Sequence, residues 1–105
     1  MNKVLNLLGI ARRAGKLVMG TDSIIKVLPS KKIKLIFIAK GASLATTDKI
    51  DKKAFFYQVQ VVNIFTTEEL SKALGVGSIK IIGVVDDGFA KSMKKEIERG
   101  DLNEG

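Results

Sequence analysis

The chain has 105 residues, 46% of them hydrophobic, a single Pro, and a net charge of +7 from 18 Lys/Arg against 11 Asp/Glu. That size and composition describe one folded domain with its own core, not a disordered tail. With neither Cys nor His, disulfides, thiolate or imidazole nucleophile–base pairs and the common zinc sites are all excluded.

Residues 2–14 place Val4, Leu7, Leu8 and Ala11 at helical spacing, with Asn2 as N-cap, Gly15 as C-cap, and Arg12 and Arg13 in the last turn, where cations suit the helix dipole. A short strand follows at 16–19. Gly20 and the N-cap residues Thr21, Asp22 and Ser23 then open a helix over about 22–28, with Ile24, Ile25, Val27 and Leu28 apolar and Pro29 at its end. Residues 33–39 are a dense apolar run, as expected of a central strand covered on both faces. Ser43 or Thr46 starts a helix to about Phe56, with Ile50, Ala54, Leu44 and Tyr57 inward; Phe55 and Phe56, beside apolar helix positions, read as core rather than as base-stacking groups.

Residues 60–65 form a third strand, and Thr66 or Thr67 caps a helix to about Leu74 with Glu68 and Glu69 at its positive end. Gly75-Val76-Gly77-Ser78 is a flexible, mildly apolar loop before a fourth strand at 79–85. Asp86-Asp87-Gly88 turns the chain into a last helix with Phe89, Met93 and Ile97 inward, ending near Gly100, and 101–105 is expected to fray. Helices alternate with mostly apolar strands, so both sheet faces need covering: the expected fold is α/β, a three-layer α/β/α sandwich around four strands, one domain over 1–100.

The junction at Gly20 is the candidate working surface. The first turn of a helix leaves N–H groups unpaired and carries partial positive charge, which attracts phosphate, and a residue without a Cβ admits another backbone. Ser23 and Lys26 share a face at i, i+3. The charge is also uneven: residues 1–60 hold 12 Lys/Arg and 3 Asp, a net +9, whereas 61–105 hold 6 Lys/Arg and 8 Asp/Glu, a net −2. Such an excess points to a polyanion partner, since each phosphate neutralised releases counterions.

Two other motifs fail. Gly9 and Gly15-Lys16 are separated by five residues where a phosphate-binding loop has four, and Leu17 stands where Ser or Thr would hold magnesium. The pair Asp86-Asp87 reads as helix capping rather than as a metal or phosphoacceptor site. No cofactor motif such as GxGxxG is present, so an enzyme is not expected. No run spans a bilayer and Arg12-Arg13 interrupt the early apolar segment, so a cytoplasmic location is expected.

The stretches Leu8 to Gly20 (LGIARRAGKLVMG) and Ile79 to Lys91 (IKIIGVVDDGFAK) resemble the kink-turn RNA-binding superfamily of ribosomal proteins of the L7Ae and L30e type. The chain looks like its small bacterial YlxQ-type branch, over residues 2–98. That resemblance implies a mixed four-stranded sheet in an α/β/α sandwich. It also implies a grip on bent RNA between the start of the second helix (Gly20, Thr21, Asp22, Ser23 and Lys26) and the loop before the last strand (Gly75, Val76, Gly77 and Ser78). Backbone N–H groups at Gly20 and Thr21 would position the RNA, Lys26 would reach guanine or phosphate, and Val76 would lie over bases extruded at the bend.

Asp22-Ser23 stands where members often carry Asn-Glu. An Asp carboxylate cannot donate to guanine O6 as an Asn amide does, which weakens or alters kink-turn specificity. Lys40 stands where members often carry an acid. The implied partner is RNA, ribosomal in origin, with other ribosomal or translation proteins as further partners and a free protein that is monomeric. The alternative is an adaptor of the translation machinery that binds a protein through its acidic C-terminal half.

Overall fold

Local chemistry sets most of the element ends. The structure, a computed structural model, describes residues 2–104, with side chains over 2–100. In order it has α1 (Lys3–Arg13), β1 (Leu17–Met19), α2 (Thr21–Val27), a 3-10 turn (Leu28–Ser30), β2 (Leu35–Ile38), α3 (Leu44–Phe56), β3 (Gln60–Val62), α4 (Thr67–Leu74), β4 (Ile81–Val84) and α5 (Asp87–Glu104).

Asn2 accepts from Val4 N at 2.8 Å and Leu5 N at 3.4 Å, and Ser43 accepts from Thr46 N at 3.2 Å. Thr66 and Glu69 form a reciprocal capping box, with Glu69 Oε1 accepting from Thr66 N at 2.9 Å and Thr66 Oγ1 from Glu69 N at 3.1 Å. Asp86 Oδ2 accepts from Phe89 N at 2.9 Å, the capping role expected of that acid pair. Pro29 is absorbed into the 3-10 turn that continues α2. Helix α5 runs past Gly100 to Glu104; Gly105, the last residue of the expected tail, lies outside the described residues.

The strands form one mixed sheet in the order β1-β4-β2-β3. β4 runs antiparallel to both β1 and β2, and β2 runs parallel to β3. Strand alternation divides the core between the two faces. Leu35, Phe37, Ile82 and Val84 pack with Leu8, Leu70 and Met93 of α1, α4 and α5. Ile36, Ile38 and Ile81 pack with Ile24, Ile50 and Ala54 of α2 and α3. The result is the three-layer α/β/α sandwich that the alternating pattern calls for, with β2 inside the sheet. Helices α1 and α4 approach closely at Gly9, where a Cβ would sit 2.9 Å from the Ala73 carbonyl oxygen.

The structure corrects four expectations. Phe55 and Phe56 are not core: they are 85% and 74% exposed, because α3 turns Ile50 and Ala54 inward and leaves the next two positions outside. Leu44, the first residue of α3, is likewise outside, at 88%. The third strand stops at Val62, with Asn63 and Ile64 exposed and Phe65 alone returning to the core beside Phe37, ring centroids 6.1 Å apart. Finally, the loop at 75–78 is not a slack connection: Val76 N donates to Ser71 O at 3.1 Å and Ile79 N to Ser71 Oγ at 3.0 Å, which tie it to α4.

Candidate nucleic-acid interface

The sheet has two ends, fixed by the strand register. Met19 of β1 lies opposite Ile82, and Ile38 of β2 opposite Ile81, so Gly20, Lys80 and the Ala39-Lys40 exit share one end. Gly20 N donates to Ile81 O at 3.1 Å and Ala39 N to Lys80 O at 2.8 Å, which closes that end. The loop Gly75–Ser78 feeds into β4 there, so the structure brings both sequence-predicted segments to the same end of the sheet.

Thr21, Asp22 and Ser23 do not cap α2. The N-cap is Gly20, with φ 99° and ψ 146° and no side-chain bond to the helix. That conformation lies in a region essentially restricted to glycine, so the backbone angle itself demands the residue. A Cβ at Gly20 would meet nothing within 4 Å: the bare side of the corner faces outward and is not plugged by the protein's own side chains. The first helical bond runs from Ile24 N to Gly20 O. The Gly20 N–H, expected to face RNA, is instead taken up by Ile81 O, whereas among the described residues no side chain satisfies the N–H groups of Thr21, Asp22 and Ser23, which leaves those donors free for an anion.

Asp22, Ser23 and Lys26 are exposed, and the buried Ile24 anchors the helix beneath them. Gly75, Gly77 and Ser78 are exposed as well, with Gly75 ending α4 at φ 70°. Val76 behaves differently from the expectation for an RNA-facing apolar residue: it is half-buried and packed on the core of α1, α4 and α5. Lys80, which lies within the stretch expected as the fourth strand, stands exposed beside Lys40 through the Ala39–Lys80 bond. Its position within a strand pattern gave no signal, because only pairing with β2 brings it there.

No ionisable group here is tied into an ion pair among the described residues; the three ion pairs found are Lys34–Asp87, Lys52–Asp48 and Arg99–Glu96. No cluster of three or more His, Cys, Asp or Glu that could hold a metal occurs among the described residues. None of the described helices is long and apolar enough to cross a membrane. The arrangement offers unpaired backbone donors, small residues that permit close approach, and a few cations.

Fold and corner together define the class, an α/β/α sandwich presenting a glycine-led helix start beside the loop that enters β4. The model of the Ribosomal protein L7Ae/L30e/S12e/Gadd45 family matches residues 2–94, and the chain belongs to that family. It is 38% identical over 96 residues to the RNA-binding protein YlxQ of Enterococcus faecium, covering 91% of this chain and 92% of that protein. It is 32% identical over 87 residues to the RNA-binding protein YlxQ of Bacillus subtilis, covering 83% and 87%. A solved protein of unknown function from Bacillus halodurans C superposes with a TM-score of 0.90 at 30% identity, over 93% of this chain and 99% of that one. The Giardia lamblia 15.5kD RNA binding protein superposes with a TM-score of 0.79 at 17% identity, over 94% and 85%, a likeness of fold.

Proposed function

We propose that this protein is a non-catalytic RNA-binding protein of the translation apparatus, ribosome-associated and cytoplasmic. On this reading it recognises a kink-turn or similarly bent RNA through the start of α2 and the loop before β4. The observation that carries the reading is the open corner at Gly20, where a positive-φ glycine, uncapped N–H groups and exposed Ser23 and Lys26 lie at the same sheet end as the 75–78 loop. Relatives at 38% and 32% identity that are named as RNA-binding proteins support it.

Backbone donors at Thr21 to Ser23 hold a phosphate ridge, which fixes register, and Lys26 reaches a base edge or a further phosphate. The exposed glycine backbone of 75–78 admits a splayed nucleotide. Asp22 accepts from guanine N–H groups but places a negative charge beside phosphates, so affinity for a consensus kink-turn is lower than an Asn would confer.

Mobility-shift titration tests this with a kink-turn RNA and a control in which its sheared G·A pairs are made Watson–Crick. The kink-turn binds more tightly, and its affinity falls steeply between about 50 and 200 mM salt. Equal affinity for both RNAs, or no dependence on salt, overturns the reading.

A further inference from the structure

The end of the sheet opposite Gly20 holds a second cationic surface. Lys31 and Lys34, from the turn before β2, face Lys91 and Lys94 of α5 across a groove of about 1000 Å³, with Asp87 its one carboxylate. Lys34 Nζ donates to Lys31 O at 3.1 Å and lies 3.8 Å from Asp87 Oδ1. Among the described residues no carboxylate lies within 4.0 Å of Lys31, Lys91 or Lys94, so three of the four ammonium groups there have no acid partner. Lys91 and Lys94 come from the half of the sequence that is net acidic; only folding brings them to Lys31 and Lys34.

A second depression, of about 670 Å³, adjoins the first. It is lined by Phe55 and Phe56, and Gln58 and Val59 border both, so the two form one continuous surface. Phe56 meets Tyr57 edge-on, ring centroids 4.9 Å apart at 85°, and Tyr57 lines the lysine groove. The aromatic side chains therefore run from one depression into the other. Gln58 and Lys31, the two non-glycine residues with positive φ among the described residues, at 59° and 63°, both line this groove. Phe55 and Phe56, 85% and 74% exposed and adjacent, present two aromatic faces side by side at this end.

The geometry points to a second RNA-contact surface at this end, which takes a short single-stranded RNA segment: bases stack on Phe55 and Phe56 while their phosphates run along Lys31, Lys91 and Lys94. Charge complementarity selects the occupant. A ligand that satisfies both features must offer planar apolar faces and closely spaced negative charges together, and a single strand does so, whereas a duplex hides its base faces. Gln58 and Gln60 supply amides to base edges without demanding one base. The surface lies at the far end from Gly20, so it does not depend on how that corner binds RNA.

Fluorescence anisotropy with a labelled 12-nucleotide oligouridine, which cannot form a kink-turn, tests the proposal, with a blunt RNA duplex of equal length as control. The wild-type protein binds the single strand more tightly than the duplex. Phe55→Ser/Phe56→Ser weakens oligouridine binding roughly tenfold or more, with an unchanged thermal midpoint because both rings lie outside the core. Lys91→Ala/Lys94→Ala weakens it too and lowers the slope of log affinity against log salt by about 1.4, two phosphate contacts.

Both double variants keep wild-type affinity for the kink-turn RNA, and Lys26→Ala keeps wild-type affinity for oligouridine. Loss of kink-turn binding alone in the wild type therefore refutes the reading of the Gly20 corner and leaves this one standing. No oligouridine binding, equal binding of the duplex, or oligouridine affinity unmoved by the phenylalanine substitutions overturns it.

Discussion

The two ends of the sheet differ in what they present to solvent. At the Gly20 end the backbone is the instrument: a corner that only glycine adopts, helix donors without a cap, and a loop of small residues tied to Ser71. At the other end side chains dominate, with lysines from two distant segments and aromatic rings projecting from the last turn of α3. Backbone donors are rigid and suit a fixed, bent shape; lysines and exposed rings adapt to a flexible strand. On the two proposed readings, one fold carries a shape-reading end and a charge-and-stacking end, separated by the length of the central strands.

Substitutions can break that contrast. The largest effect is expected from Ile24→Ala, which removes the one buried side chain of α2. It should cost about 2–5 kcal/mol in urea unfolding and loosen the Gly20 corner while leaving oligouridine affinity intact in the folded fraction. Gly20→Val forces a branched residue into a glycine-only conformation, with an expected loss of about 1–3 kcal/mol in thermal stability. Kink-turn footprints should vanish in that variant even where it folds, and unchanged footprints would move the surface elsewhere. Lys26→Ala should weaken kink-turn binding by about 1–3 kcal/mol if it contacts a base, and equal affinity in a titration would remove it from the site.

Two smaller effects sharpen the comparison. Gln58→Gly relieves a left-handed residue at the end of α3 and should stabilise the fold by about 1 kcal/mol, read as a raised melting temperature, while weakening oligouridine binding. Asp22→Asn should tighten kink-turn binding by about 1 kcal/mol or less by removing a charge that faces phosphate. A loss of affinity instead would show that the carboxylate is itself an acceptor.

The sequence was legible wherever a local rule governs. Asn2, Ser43, Thr66 and Asp86 are caps because a short oxygen-bearing side chain beside a helix start has few better partners. The dense apolar runs within 33–39 and 79–85 form strands covered on both faces, narrowed in the structure to Leu35–Ile38 and Ile81–Val84. The start of α2 was misread in detail. Thr21, Asp22 and Ser23 all have capping chemistry, but the pairing of Gly20 N with Ile81 O sets the turn one residue earlier and makes glycine the cap. Phe55 and Phe56 differ from expectation for a related reason: an aromatic pair beside an apolar stripe looks like core, and only the seating of α3 on the sheet shows that the inward positions end with Ile50 and Ala54 and leave both rings outside.

Composition and periodicity were enough to determine the α/β alternation, the apolar layers and the absence of thiol and imidazole chemistry, because these follow from residue type and spacing of near neighbours. The chain also declared its positive balance. Where that charge gathers was decided only by the tertiary structure. Strand order β1-β4-β2-β3 carries the start of α5 to the turn before β2, so Lys91 and Lys94 from an acidic segment join Lys31 and Lys34 from a basic one. Electrostatic interaction depends on distance in space, and separation along the chain says little about it.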